Sequence, residues 1–389
     1  MRRARLMFVV SEDWYFWSHR LPVARAARDA GYEVAVACRV AAHGERIAGE
    51  GFRLLPIPFS RRNLNPFVQI RAIFALYRLF RRQKPDLVHL VAVKPIAYGA
   101  LAARLAGQRN LIAAFAGLGF LFQPGGPAKT LLRLGVQGLL RLGLGGADRW
   151  VIVQNNDDGR TLIDAGIGHA GRLVMIPGSG IDPAAYAPAP EAEGRPIAAV
   201  VARMLRAKGI EDFVAAARLL KAEGVEASFA LIGAPDPESP DAISDAQLHA
   251  WHEEGVVEWW GRRDDIAAIW ARCAIAVLPS RGGEGVPRSL LEAAACGRPL
   301  LASEVAGCRD LVRDGENGLL VPPGDVPALA AALRRLIADR ALRQRLGSAA
   351  RQMVEGPYSA AAVATATLDL YARALSSSDT SRGAATARQ

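Results

Sequence analysis

The chain has 389 residues, of which 51% are hydrophobic and 22% charged, with a formal net charge of +10. That length exceeds one ordinary core and fits two domains, and the composition excludes a disordered chain. No apolar run approaches the roughly 18 residues that a membrane-spanning helix needs. Cys38, Cys273, Cys296 and Cys308 form no Cys-x-x-Cys pair, and the six histidines show no ligand spacing, so no metal is expected.

The basic start, Met1-Arg2-Arg3-Ala4-Arg5 and then residues 6–10, is broken by Glu12 and Asp13 with no small-residue cleavage site after it. It therefore reads as a first strand, not an export signal, and a cytoplasmic protein is expected. Residues 1–186 hold 25 Lys+Arg against 12 Asp+Glu, a balance of +13, while the remainder holds 23 against 26. The N-terminal half is thus expected to face something anionic, with nucleic acid and anionic lipid headgroups as the two candidates.

Short apolar runs then alternate with amphipathic stretches, the pattern of β-α units on parallel sheets. Strands are expected at 6–10, 34–38, 53–57, 87–90, 111–115, 150–153 and 173–176, with helices between them, for example at 18–30 and 65–82. A Pro/Ala/Glu-rich linker at 187–196 separates this acceptor lobe (1–186) from a second lobe (197–357). Strands in that lobe are expected at 197–201, 228–232, 256–259, 275–278, 299–302 and 319–321. A closing helix at 358–375 is expected to pack back on the first lobe, and 376–389 to be a disordered tail. The fold class is α/β: two doubly wound, Rossmann-like lobes with a crevice between them.

The segment Ser280-Arg281-Gly282-Gly283-Glu284-Gly285-Val286-Pro287-Arg288-Ser289 lies between an apolar strand and a helix, with Pro287 suited to the first helical turn. Glycines allow close backbone approach and a helix start offers N–H groups to an anion, so a phosphate or diphosphate is expected beside Gly285, Val286 and Pro287. Glu284 and Glu292 are too far apart to act as an acid/base pair on one bond. Glu284 suits the sugar end of an extended ligand and Glu292 a ribose diol, the bland alternative being a helix cap and a solvated helix face. Arg203 to Gly209 follows the first strand of the second lobe and, with Lys208, can neutralise a diphosphate leaving group. Its alternative is a solvated basic loop.

Together these segments resemble glycosyltransferase family 4, the retaining, metal-independent enzymes of the two-lobed GT-B type. Arg203 to Gly209 matches the family's Arg-(four residues)-Lys-Gly, and Glu284 to Glu292 its Glu-(seven residues)-Glu, continued by Ala293 to Pro299. Gly307 to Asp310 and Asp314 to Val321 look similar too. The resemblance implies that Arg203 and Lys208 bind the donor diphosphate, and that Glu284 contacts the donor sugar. It further implies that Gly285, Val286 and Pro287 offer backbone groups and that Glu292 holds the ribose. Glu12 to Pro22, Leu64 to Phe67 and Lys94 to Gly99 resemble the capsule and O-antigen branch. That branch includes an N-acetylgalactosaminyltransferase acting on an undecaprenyl-diphosphate-linked sugar. The loop at 11–18 departs from many members in lacking a glycine pair.

His89 closes the fourth strand, where the family often has a polar residue near the reacting sugar; a satisfied core histidine is the competing reading. The stretch at 65–82 places Arg71, Arg78 and Arg82 among Phe74, Tyr77 and Phe80, and the stretch at 129–141 mixes Leu with basic residues, patterns that suit anionic lipid. The expected partners are a nucleotide-sugar donor, a lipid-linked saccharide acceptor and an anionic membrane surface, without nucleic acid and without a cofactor. The expected location is peripheral, on the inner face of the cytoplasmic membrane. A GT-B sugar-nucleotide 2-epimerase and a basic nucleic-acid-binding protein are the alternatives. The former lacks a visible acid/base set, and the latter leaves the Arg203, Lys208, Glu284 and Glu292 set unexplained.

Overall fold

The computed structural model describes residues 2–59, 65–119, 126–146 and 149–386. The chain divides into two compact units, Met1–Ser179 with Ala360–Gln389, and Gly180–Ser359. The residues expected to form a linker therefore belong to the second unit. There Arg298 donates to the carbonyl of Ala189, and Arg343 pairs with Glu191.

The first unit holds seven parallel strands: β1 (Arg5–Glu12), β2 (Glu33–Arg39), β3 (Arg53–Pro56), β4 (Leu87–Val91), β5 (Leu111–Ala114), β6 (Arg149–Val153) and β7 (Leu173–Met175). Their order is β3-β2-β1-β4-β5-β6-β7. The run at 6–10 that could mimic an export signal is an interior strand, third in that order. Its residues point alternately into two cores: Met7 and Val9 to one face, Leu6, Phe8 and Val10 to the other. Helices Pro66–Gln83, Val93–Leu105 and Pro127–Leu144 cover the first face. Helices Asp13–His19 and Leu21–Asp29 and the last helix cover the second. One break, at Arg20, divides the single helix expected over 18–30.

The second unit repeats the plan with β8 (Ile197–Val201), β9 (Ser228–Ile232), β10 (Glu258–Trp259), β11 (Ile275–Leu278), β12 (Leu300–Ser303) and β13 (Gly318–Val321). The order is β10-β9-β8-β11-β12-β13, all parallel. Every expected strand is present, with ends shifted by one or two residues. All four cysteines are free and buried.

The last helix, Ala360–Thr386, lays Val363, Leu370, Tyr371 and Ala374 into the first unit. The expected disordered tail from 376 is helical as far as Thr386: no proline follows Pro357, and the small residues there do not stop a helix already nucleated by packing. Residues 387–389 lie outside the described ones, as does Leu64. Among the described residues no helix is long and apolar enough to cross a membrane.

Candidate functional site

In each sheet the strand order reverses at one point, between β1 and β4 in the first and between β8 and β11 in the second. Loops leaving the carboxyl ends of such a strand pair part in opposite directions and open a crevice. In the second unit those two loops are the Arg203 to Gly209 loop and the Ser280 to Pro287 loop.

Two glycines let them meet. Gly209 has φ +70°, and a Cβ there would lie 1.9 Å from the carbonyl oxygen of Pro279. A Cβ on Gly307 would lie 1.6 Å from the carbonyl oxygen of Gly285. Only glycine allows the backbone contacts that press the first loop across the end of β11 and seat the second on helix Ala306–Leu311.

The result joins Lys208 to Glu284: Nζ donates to Oε1 at 2.6 Å. Ser280, fully buried, donates its hydroxyl to the same oxygen at 2.5 Å. Glu284 is itself buried, so this is a charge-assisted, partly desolvated pair. Arg203 is half exposed, and its guanidinium donates to Asp236 at 2.7 Å. Asp241 accepts from the amide of Ala207 at 2.8 Å, and Asp212 holds Arg281 through two bonds. Carboxylates of the second unit thus brace its cationic loop at several points.

Glu292 is also buried, on the inner side of helix Arg288–Ala295. Arg288 Nε at 2.8 Å and the Tyr186 hydroxyl at 3.1 Å both donate to its Oε1. Burial raises the Glu292 carboxyl above the usual carboxylate range, with Arg288 opposing the shift. Burial beside that carboxylate likewise pushes the Tyr186 phenol up. Pro287 precedes the helix as its cap residue rather than sitting in its first turn, because its ψ of 116° is extended. Among the described residues no side chain caps the helix start, the end of a helix that favours an anion.

Thus the structure joins Lys208 and Glu284 directly and gives Arg203 and Glu292 separate partners. Sequence reasoning missed Ser280, Asp236, Tyr186 and Arg288 as members of this arrangement. Asp236 follows β9 closely enough that its loop had to reach the same sheet edge. Tyr186 carries no signal at all, lying 106 positions from Glu292.

His89 stands elsewhere, and this corrects the expectation of a strand-end position. It is the middle residue of β4, 1% exposed, stacked on Phe8 and sharing a 2.6 Å hydrogen bond between Nδ1 and the Tyr371 hydroxyl of the last helix. Strand alternation turns its side chain into the second-face core, where desolvation holds the imidazole well below its ordinary pKa and hence neutral. Its Nδ1 is satisfied by Tyr371, while its buried Nε2 has no hydrogen-bond partner among the described residues.

At the first unit's reversal point the loop without a glycine pair begins helix Asp13–His19. Asp13, fully buried, accepts from the amides of Ala41 (2.7 Å) and His43 (2.8 Å), and Glu12 holds Arg39 at 2.8 Å. Side-chain carboxylates here join the β1 and β2 loops.

Two doubly wound sheets, each with a strand-order reversal and one with braced cations at that edge, fit an α/β glycosyltransferase of the GT-B type. Family models agree: residues 195–339 match Glycosyl transferases group 1, and residues 5–155 match Glycosyl transferase 4-like. The chain belongs to this glycosyltransferase family. Among characterised relatives it is similar to the N,N'-diacetylbacillosaminyl-diphospho-undecaprenol alpha-1,3-N-acetylgalactosaminyltransferase of Campylobacter jejuni. The two are 28% identical over 361 residues, covering 90% of this chain and 93% of that one. Alpha-D-kanosaminyltransferase of Streptomyces kanamyceticus is 30% identical over 46% of each chain. In fold it resembles the sucrose-phosphate synthase of Thermosynechococcus elongatus (TM-score 0.78, 23% identity, covering 96% of this chain and all of that one). Anabaena HepE in complex with UDP and glucose is also similar (TM-score 0.78, 19% identity, covering 95% of this chain and all of that one).

Proposed function

We propose that the protein moves a sugar from a nucleotide diphosphate, a UDP-sugar, to a hydroxyl of a polyprenyl-diphosphate-linked saccharide, with retention at the anomeric carbon. It would act at the inner face of the cytoplasmic membrane during surface-polysaccharide or glycan synthesis. The observation that carries this reading is the junction of Lys208, Glu284 and Ser280 at the β8/β11 reversal point. The likeness along most of the chain to a transferase whose name includes a diphospho-undecaprenol sugar supports the acceptor class.

In this reading the bond from the anomeric carbon to the diphosphate breaks, and the negative charge gathers on the departing oxygen. Lys208, Arg203 and the start of helix Arg288–Ala295 receive that charge. The acceptor hydroxyl oxygen bonds to the anomeric carbon on the same face, and its proton leaves with the diphosphate. Glu284 holds Lys208 in place and contacts the sugar, the backbone of Gly285, Val286 and Pro287 meets the diphosphate and sugar, and Glu292 and Arg288 serve the ribose. No side chain is assigned as a nucleophile.

Two measurements test the reading. Thermal denaturation against a panel of nucleotide sugars should show a rise with one UDP-sugar, because binding to the native state stabilises it by mass action. Transfer from that donor to a polyprenyl-diphosphate saccharide should continue in excess chelator, since cationic side chains take the place of a divalent ion at the leaving group. Loss of activity in chelator with recovery on adding Mg²⁺ or Mn²⁺ ends the metal-independent mechanism. Epimerised donor as the only product supports the 2-epimerase instead.

A further inference from the structure

Helices Pro66–Gln83, Val93–Leu105 and Pro127–Leu144 lie side by side on one face of the first sheet, the middle one packing against both others. None of the three contains an aspartate or glutamate, and from 51 to 147 the chain has 14 basic residues against one acid, Asp86. A face turned to water normally mixes both signs. This one does not.

The same helices carry eight of the eleven exposed large apolar side chains among the described residues. On Pro66–Gln83 the outward stripe is Phe67 (81% exposed), Ile70 and Phe74, continued by Arg78, whose guanidinium lies over the Phe74 ring at 5.7 Å. On Pro127–Leu144 the outward positions Leu131 (73% exposed), Leu134 and Leu142 flank Gly135 and Gly138, so that row bears no charge. A Cβ on either glycine would meet nothing, so packing inside the protein does not require them. A soluble helix places polar residues where this one has leucine and glycine.

Apolar exposure is also polarised along the helices. Each crossover helix returns against its parallel strands, so its amino end lies at the carboxyl edge of the sheet. Six of the eight exposed apolar residues lie in the amino-terminal halves of the two outer helices, towards the edge where such a sheet receives ligands.

We infer that this three-helix face inserts into the headgroup–acyl boundary of an anionic membrane. The apolar rows would enter about 5–10 Å deep and the arginines meet the headgroups. This rests on, and sharpens, the proposed use of a lipid-linked acceptor: the face that enters the bilayer adjoins the ligand edge of the same lobe, so a saccharide carried on a lipid diphosphate emerges beside that edge. The occupant is lipid and not a second copy of the chain, because like charges on two copies would face each other across a contact with no acid to pair them.

The test uses the full chain and vesicles of phosphatidylcholine with or without phosphatidylglycerol. Wild type should bind the anionic vesicles at low salt, keep a residual fraction at high salt and raise the surface pressure of a lipid monolayer. Phe67→Ser/Phe74→Ser and Leu131→Gln/Leu142→Gln should lose that salt-resistant binding about tenfold or more and abolish the pressure rise. Arg78→Gln/Arg82→Gln should weaken only the salt-sensitive part. All these side chains are exposed, so unchanged melting confirms intact variants. Wild-type monolayer insertion by both apolar variants overturns the inference, as does a dimer that these variants split without changing vesicle binding. Donor binding by thermal shift reads the transferase proposal separately, since neither helix belongs to the second unit.

Discussion

The two units share a topology and use charge in opposite ways. Around Lys208 the second unit spends its acidic excess on bracing: Asp236 holds Arg203, Glu284 holds Lys208, Asp212 holds Arg281, and Glu292 holds Arg288. On the helical face of the first unit Arg71, Arg78, Arg81 and Arg82 have no carboxylate partner among the described residues. A braced cation is preorganised to meet charge developing in a bound molecule, whereas an unbraced one answers a diffuse field such as a lipid surface. The strongly basic half of the chain is thus not where its polar site is built.

If bracing serves catalysis, the largest effects belong to the braced pair. Lys208→Ala should cost about 2–4 kcal/mol of transition-state stabilisation, read as a fall in kcat/KM for the nucleotide sugar. Glu284→Gln should lower kcat nearly as far, because it weakens the hold on Lys208 and removes a group at the sugar. Arg203→Ala should fall at the lower end of that range, its charge being partly offset by Asp236 and its side chain half exposed. Near-normal turnover in Lys208→Ala, with unchanged melting, would dissolve the contrast between the two units.

A smaller effect separates the cores. Tyr371→Phe leaves the buried Nδ1 of His89 without its partner, at a cost of about 1–3 kcal/mol to the first unit. His89 is neutral in the fold and takes a proton in the unfolded chain below its ordinary value of 6.5. The unfolded state then binds more protons, so stability is full above pH 6.5 and is lost as pH falls below it. His89→Gln should flatten that acid-side slope in melting temperature against pH, and Tyr371→Phe should retain it. A slope that survives in His89→Gln assigns acid sensitivity to another group.

How far these features could be read from the sequence follows their range along the chain. All thirteen strands announced themselves through local apolar runs, and the loops bearing Lys208 and Glu284 through glycines and a helix start. Side-chain alternation decides His89: whether residue 89 ends β4 or stands mid-strand depends on Val91 extending the ladder, which pairing with Ala114 across the sheet determines. Tyr186 and Tyr371 reach their partners over 106 and 282 positions, contacts that no local pattern encodes. The closing helix was legible over 358–375, but its continuation to Thr386 was not, because the small polar residues after 375 carry no apolar pattern.

The smallest expected effect concerns Glu292, which differs from Glu284 in its surroundings and not in its chemistry. Both are buried and paired with a cation, but Glu284 meets a lysine from another loop while Glu292 meets Arg288 one turn back on its own helix. A local i,i+4 pair survives small changes in loop position, which suits a group that binds a nucleoside without taking part in bond breaking. Burial raises the Glu292 carboxyl and Arg288 draws it down again, so the charge there depends on the arginine. Glu292→Gln preserves size and one acceptor oxygen for Tyr186 or Arg288, and should weaken donor binding by about 1 kcal/mol, roughly fivefold in KM, with kcat nearly unchanged. Glu292→Ala should do more, because it leaves Arg288 buried without its carboxylate, and part of that loss should appear as lower melting temperature. Steady-state kinetics with varied donor separate the two. A fall in kcat for Glu292→Gln equal to that of Glu284→Gln would mean that both carboxylates act on the reacting sugar, and that the division between sugar end and nucleoside end is wrong.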